Sequence, residues 1–174
     1  MEPTPIFLAL LFSSAADLVF LNTDFELLGI LLFLLVQYCY RTLIGIPAVS
    51  WLRRGAFFSL LLTFVSILCG IKGSLLLVAA LLYFVLLLLN LFHSWGQTYC
   101  RTPVLLSVCL TLLLICDFHV GLHNLPRFAP YLPTALSQYC AQTASRMIWG
   151  FYIPAQLIML YLLLCSLRQS AEAA

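Results

Sequence analysis

Residues 74–92 read SLLLVAALLYFVLLLLNLF, without one charged side chain. Ordinary strands stop at about 10 residues, whereas a helix of this length, at about 1.5 Å per residue, crosses the roughly 30 Å hydrocarbon core of a bilayer. The run is bounded by Gly70-Ile71-Lys72-Gly73 before it and by His93 through Thr102 after it, both of them turn-like stretches. Working outward, comparable runs recur at Pro5–Leu21, Phe25–Ile46, Gly55–Ile71, Pro103–Val120 and Met147–Leu167, with further breaks at Asn22-Thr23-Asp24 and Pro47 through Arg54. The spacing predicts an all-α, polytopic membrane protein, a bundle of about six transmembrane helices.

Composition agrees with lipid as the solvent. Hydrophobic residues make up 64% of the 174 and charged residues 8%, against about 25% charged in a soluble domain. No repeat, linker or low-complexity tract divides the chain, so residues 1–174 read as a single integral membrane domain. The first run lacks a basic leader, carries Glu2 instead, and reads as a retained helix rather than a cleaved signal. The connection from Gly121 to Arg146 is the long one. Its Pro126, Pro130 and Pro133 argue against helix, while Thr134–Ser145 either lies in the interface or extends the last helix.

Loop charge sets the expected orientation. Arg41, Arg53, Arg54, Arg101 and Arg168 fall on the side of the termini, and Lys72, Arg127 and Arg146 on the other. The excess places both termini in the cytoplasm of a multi-pass protein of the plasma membrane. The net charge of +2 gives no reason to expect a nucleic-acid partner. Seven cysteines, at 39, 69, 100, 109, 116, 140 and 165, form no CxxC pair and read as small residues packing between helices.

Chemistry has to come from the few polar groups inside the runs. Asp17 and Asp117 are the two carboxylates set in apolar surroundings, where a charge costs about 2.5–3.5 kcal/mol on insertion scales. Their helices run in the same direction, and each aspartate is expected within about five residues of its helix's far end, at one depth. Two readings stand: a shared functional pocket, or terminal residues that reach the headgroups, with Asp117 paired to Arg127 or His119.

A stripe of Gly29, Phe33, Gln37 and Tyr40 occupies one face of the second helix, and Trp149, Tyr152 and Gln156 one face of the last, near Pro154. Such stripes serve helix packing as well as polar interiors. His119 and His123 sit at the end of the fifth run, with His93 on the opposite side, an arrangement poorly suited to axial haem ligands. No metal or other cofactor is expected.

The residues Ala16-Asp17, then Phe25, Gly29, Phe33, Gln37 and Tyr40, then Cys116-Asp117, then Phe151-Tyr152 and Ala155-Gln156 resemble the pattern of the lysoplasmalogenase (YhhN-like) family. That family shows a Gly-Asp helix, an F-G-F-H-Y helix, a Ser-Asp helix and a final Tyr-Tyr-x-Ala-Gln helix. Its members have about eight helices, and the resemblance covers their last six. Ala16 stands for the family's Gly, Cys116 for its Ser and Gln37 for its His.

The resemblance implies hydrolysis of the vinyl-ether bond of a lysoplasmalogen-type membrane lipid. Protonating the β-carbon of an enol ether gives an oxocarbenium ion that water captures; one carboxyl serves as the acid while a second, ionised one stabilises the cation or orients water. Asp17 and Asp117 would be catalytic, and Gln37, Tyr40, Tyr152 and Gln156 would line the substrate site. The missing His also fits a non-catalytic lipid-binding relative, and the aspartates alone fit a small proton-coupled transport component.

Overall fold

A computed structural model describes residues 2–21, 25–71, 73–97, 101–128 and 134–172. The expected breaks at Asn22-Thr23-Asp24, Lys72 and residues 98–100, and the prolines Pro130 and Pro133, lie outside the described residues. So do the side chains of Arg127 and Cys140. The chain is all-helical: α1 (Pro3–Phe20), α2 (Glu26–Ile44), α3 (Ala48–Leu68), α4 (Leu75–Trp95), α5 (Arg101–Phe128) and α6 (Thr134–Glu172). Each contains a stretch long and apolar enough to cross a membrane, and the protein is a multi-pass integral membrane protein.

The helix ends follow from local chemistry. Pro3 opens α1 at a position where a missing N–H costs nothing. α2 stops at Gly45, whose φ of 77° is open to glycine; its N–H returns to the carbonyls of Arg41 and Thr42 at 3.0 and 3.2 Å. Ser74 caps α4, its hydroxyl accepting the Leu77 N–H at 3.1 Å.

Two boundaries differ from the sequence reading, and a third falls on one of its alternatives. α3 begins at Ala48 rather than Gly55, because Pro47 is preset for the N-cap and Arg53 and Arg54 keep their charges exposed outside the bundle. α5 continues past Val120, through Pro126, to Phe128. Proline in a final turn removes one bond near the interface, where water replaces it, so it does not end the helix earlier. Thr134–Ser145 is helical and extends α6 to 39 residues, the second of the two alternatives left by the sequence.

The packing order is a ring with one helix outside it. α1 packs on α2, α2 on α4, α4 on α5, α5 on α6, and α6 closes back on α1 through the least extensive of these seams. α3 lies outside, against α4. It turns Trp51, Gly55, Ser59 and Thr63, every fourth residue, inward, and at Gly55 a Cβ would collide with the Leu86 side chain. The remaining faces of α3, including Phe57, Leu60, Phe64 and Leu68, are exposed apolar surface of the kind lipid covers. The interior of the ring holds Ile6, Ala9, Val36, Tyr40, Leu87, Cys109, Leu110 and Met159.

Candidate functional site

The seam between α1 and α6 is polar. Ser13 and Asp17 are four residues apart on α1, and Tyr152 and Gln156 four apart on α6, so each pair shares a helix face. The two pairs interlock. The Tyr152 hydroxyl donates to Asp17 Oδ2 at 2.5 Å, and Gln156 Nε2 donates to Ser13 Oγ at 2.8 Å. Ser13 Oγ and Tyr152 Oη are 2.8 Å apart. With the phenol's single proton directed at Asp17, Ser13 is the donor in that contact. The result is a directed chain, Gln156 to Ser13 to Tyr152 to Asp17, in which each bond polarises the next.

This seam opens sideways. A groove of about 440 Å³ runs along it, with Ser14, Asp17, Tyr152 and Gln156 as polar lining and Leu10, Trp149, Ile153, Leu157 and Leu160 as apolar lining. Trp149, Ile153, Leu157 and Leu160 are exposed on the outer surface of α6, which faces lipid in a membrane. Asp17 can therefore be reached from the acyl-chain region without crossing the ring.

Asp117 is held in a parallel manner by another helix. The Tyr83 hydroxyl of α4 donates to Asp117 Oδ2 at 2.5 Å. Counted along the helices at about 1.5 Å per residue, Asp17 lies about 21 Å from the start of α1 and Asp117 about 20 Å from Val104, where the apolar part of α5 begins. The depths match. The Cys116 thiol, buried on α5, lies within electrostatic reach of both carboxylates. Asp117 does not line the groove.

Asp117 is also not near a helix end, contrary to expectation, since α5 runs on to Phe128. His119 makes its own contacts, with Nδ1 2.7 Å from the Ile115 carbonyl and its ring stacked on Phe151. Among the described residues no three of His, Cys, Asp and Glu gather as metal ligands.

The α2 stripe faces inward in full, but to several partners. Gly29 admits the Phe20 ring, which an added Cβ would meet at 2.6 Å, and Phe33 lies between Phe20 and Tyr83 at centroid distances of 5.9 and 5.7 Å. Tyr40 is fully enclosed, within electrostatic reach of Tyr152 and Asp117. Gln37 belongs to a separate knot on the α3–α4 side. Trp51 Nε1 donates to Asn90 Oδ1 at 3.0 Å, and Asn90 Nδ2 donates to both the backbone oxygen and Oε1 of Gln37 at 2.9 Å. An indole nitrogen can only donate, so both amides are fixed in orientation, and Gln37 Nε2 is left buried without a partner.

Asp17, Tyr152 and Gln156 are thus brought together, Asp117 is held by Tyr83, Tyr40 is enclosed in the core, and Gln37 is tied elsewhere. Ser13, Tyr83, Asn90 and Trp51 were not singled out from the sequence. Ser13 one turn before Asp17 was a usable signal, as was the spacing of Tyr83 and Asn90, seven apart on one face of α4. No protein-family model, curated protein or solved structure matches this chain.

Proposed function

We propose that this chain is a membrane-embedded hydrolase of the lysoplasmalogenase kind, cleaving the vinyl-ether bond of a lysoplasmalogen-type lipid. The observation that carries the reading is the groove between α1 and α6: an apolar slot open to lipid with a carboxylate, Asp17, on its wall. A single-chain amphiphile would lay its acyl chain along Leu157 and Leu160 and bring its ether bond beside Asp17. Asp17 gives its proton to the β-carbon of the enol ether; the carbon–carbon π electrons form the new C–H bond and leave an oxocarbenium ion. Water adds to that cation, and the hemiacetal collapses to a fatty aldehyde and a glycerophospho-alcohol, returning a proton to the site. Asp117, held by Tyr83 outside the groove lining, takes the role of the second carboxylate, acting on the cation by its charge and not by contact.

The test uses purified protein in detergent and two lysolipids of nearly equal shape. The vinyl-ether lipid is expected to release aldehyde, and to do so more slowly in heavy water, because protonation of carbon limits the rate. The alkyl-ether lipid is expected to bind and stay intact, having no π bond to protonate. Binding of both without aldehyde would instead identify a lipid-binding protein.

We further propose a plasma-membrane protein with both termini cytoplasmic, an orientation supported by the arginine excess at the end of the bundle that holds them. Single cysteines introduced at positions 50 and 73, in a background without native cysteines, are expected to label from opposite sides, position 50 from the cytoplasm. Labelling of position 50 from outside would reverse the orientation.

A further inference from the structure

Charge is distributed unevenly between the two ends of the bundle. By position in the chain, the end with the termini carries Arg41, Arg53, Arg54, Arg101 and Arg168 but only Glu2 and Glu172 as acids. Glu172 is engaged by Arg168 at 2.8 Å. The other four acids, Asp17, Asp24, Glu26 and Asp117, belong to the opposite half.

Arg41 is the unusual member of this set. It is 9% exposed, whereas long cationic side chains near a membrane ordinarily extend to water. Its Nη1 donates to the Ile46 carbonyl at 2.6 Å, its guanidinium carbon lies 4.5 Å from the Tyr38 ring centroid, and its Nε is buried without a partner. Among the described residues no carboxylate pairs with it. The carbonyls at the end of α2 offset part of the charge, but a buried cation without a counter-ion is an incomplete arrangement.

The adjoining backbone supplies what an anion needs. Ile46, whose carbonyl Arg41 holds, is followed by Pro47, the N-cap of α3, and no side chain caps that helix. The first intrahelical amide is that of Trp51, bonded to the Pro47 carbonyl at 3.1 Å. The N–H groups of Ala48, Val49 and Ser50 have no helical acceptor, and these residues are exposed or partly so. The Arg41 guanidinium, bonded to the carbonyl two residues before Ala48, and the first-turn amides of a 21-residue helix therefore belong to one corner of the bundle, at an end of the apolar spans where a headgroup layer would lie. Phosphate oxygens suit that donor set, accepting from a guanidinium and from helix-terminal amides together.

We propose that the α2–α3 corner binds the phosphate of an anionic membrane phospholipid, held by the Arg41 guanidinium and the first-turn amides of α3. Exposed Arg53 and Arg54, within two turns of the helix start, add attraction to an anionic surface. The site is at the opposite end of the bundle from Asp17 and stands apart from the hydrolytic reading.

Native mass spectrometry and thermal unfolding of the full chain in detergent test this with dioleoyl phosphatidylglycerol, the matching phosphatidylcholine, and inorganic phosphate. Phosphatidylglycerol is expected to be retained and to raise the unfolding temperature saturably, with phosphatidylcholine at least tenfold weaker. Arg41→Gln should abolish the preference. Should that variant fail to fold, Ala48→Pro serves in its place. Proline is well tolerated at the first helical position, and Pro47 already has the extended backbone, φ −60° and ψ 126°, that precedes a proline. It deletes one amide and is expected to weaken phosphatidylglycerol roughly tenfold. Protection by inorganic phosphate with none from phosphatidylglycerol would keep the phosphate site and overturn the lipid as its source. Equal binding of both lipids, or phosphatidylglycerol binding unchanged in Arg41→Gln or Ala48→Pro, would overturn the proposal.

Discussion

Asp17→Asn and Asp117→Asn are each expected to lower aldehyde release by about 10²–10⁴-fold, the range that a positioned acid or base contributes, while the protein continues to insert and fold. Asparagine keeps the shape of the side chain and an oxygen to accept the bond from Tyr152 or Tyr83, so the helix contacts survive. What it loses is the proton at position 17 and the negative charge at position 117. Because both groups serve one protonation step, the double variant should be little worse than the poorer single one. Tyr152→Phe separates support from chemistry: it removes the donor to Asp17 and the acceptor of the Ser13 proton, yet leaves the carboxyl in the groove, so a smaller loss is expected. Aldehyde yield and detergent-solubilised protein are measured on the same samples. Independent, multiplying losses from the two aspartates, or no loss, would mean that the carboxylates serve helix packing.

The fold was legible because lipid imposes a simple rule on sequence. Every backbone polar group in hydrocarbon must bond within its own helix, so uninterrupted apolar runs announce the spans. The rule says less about ends. Equating a helix with its apolar run concealed the first turns of α3, whose Arg53 and Arg54 remain helical while their side chains keep to the exposed surface, and it left the polar first turns of α6 undecided between helix and interface. Helical periodicity located the inner face of α2 from Gly29, Phe33, Gln37 and Tyr40, and the face of α6 from Trp149, Tyr152 and Gln156. It did not say which neighbour each face meets. Tyr83 finds Asp117 because α4 adjoins α5, and Asn90 reaches Gln37 because α4 also adjoins α2. Neighbour order around the ring is a property of packing between helices that all look alike in lipid, and no single span encodes it.

Asn90→Leu should produce the largest loss of stability of any single change at a polar position, about 2–4 kcal/mol, although leucine is more apolar and occurs throughout α4. The reason lies in what Asn90 connects. Its Oδ1 is the acceptor for the Trp51 indole, which anchors the outlying α3, and its Nδ2 is the donor to Gln37 on α2. Without it a buried indole N–H and the Oε1 of a fully buried amide are stranded, each at about 1–3 kcal/mol in a protein interior, although interhelical bonds in membranes average nearer 0.6 kcal/mol. The two estimates differ because an unfolded membrane chain also finds partners, and the higher one applies here because both stranded groups, on Trp51 and Gln37, are buried between helices. A second substitution decides between them. Gln37→Leu in the Asn90→Leu background removes the stranded amide, so the double variant should be more stable than Asn90→Leu alone, the reverse of what two additive losses would give. Unfolding of the purified single and double variants in mixed micelles gives the comparison. A double variant less stable than Asn90→Leu would show that Gln37 contributes through packing and not through its bond to Asn90.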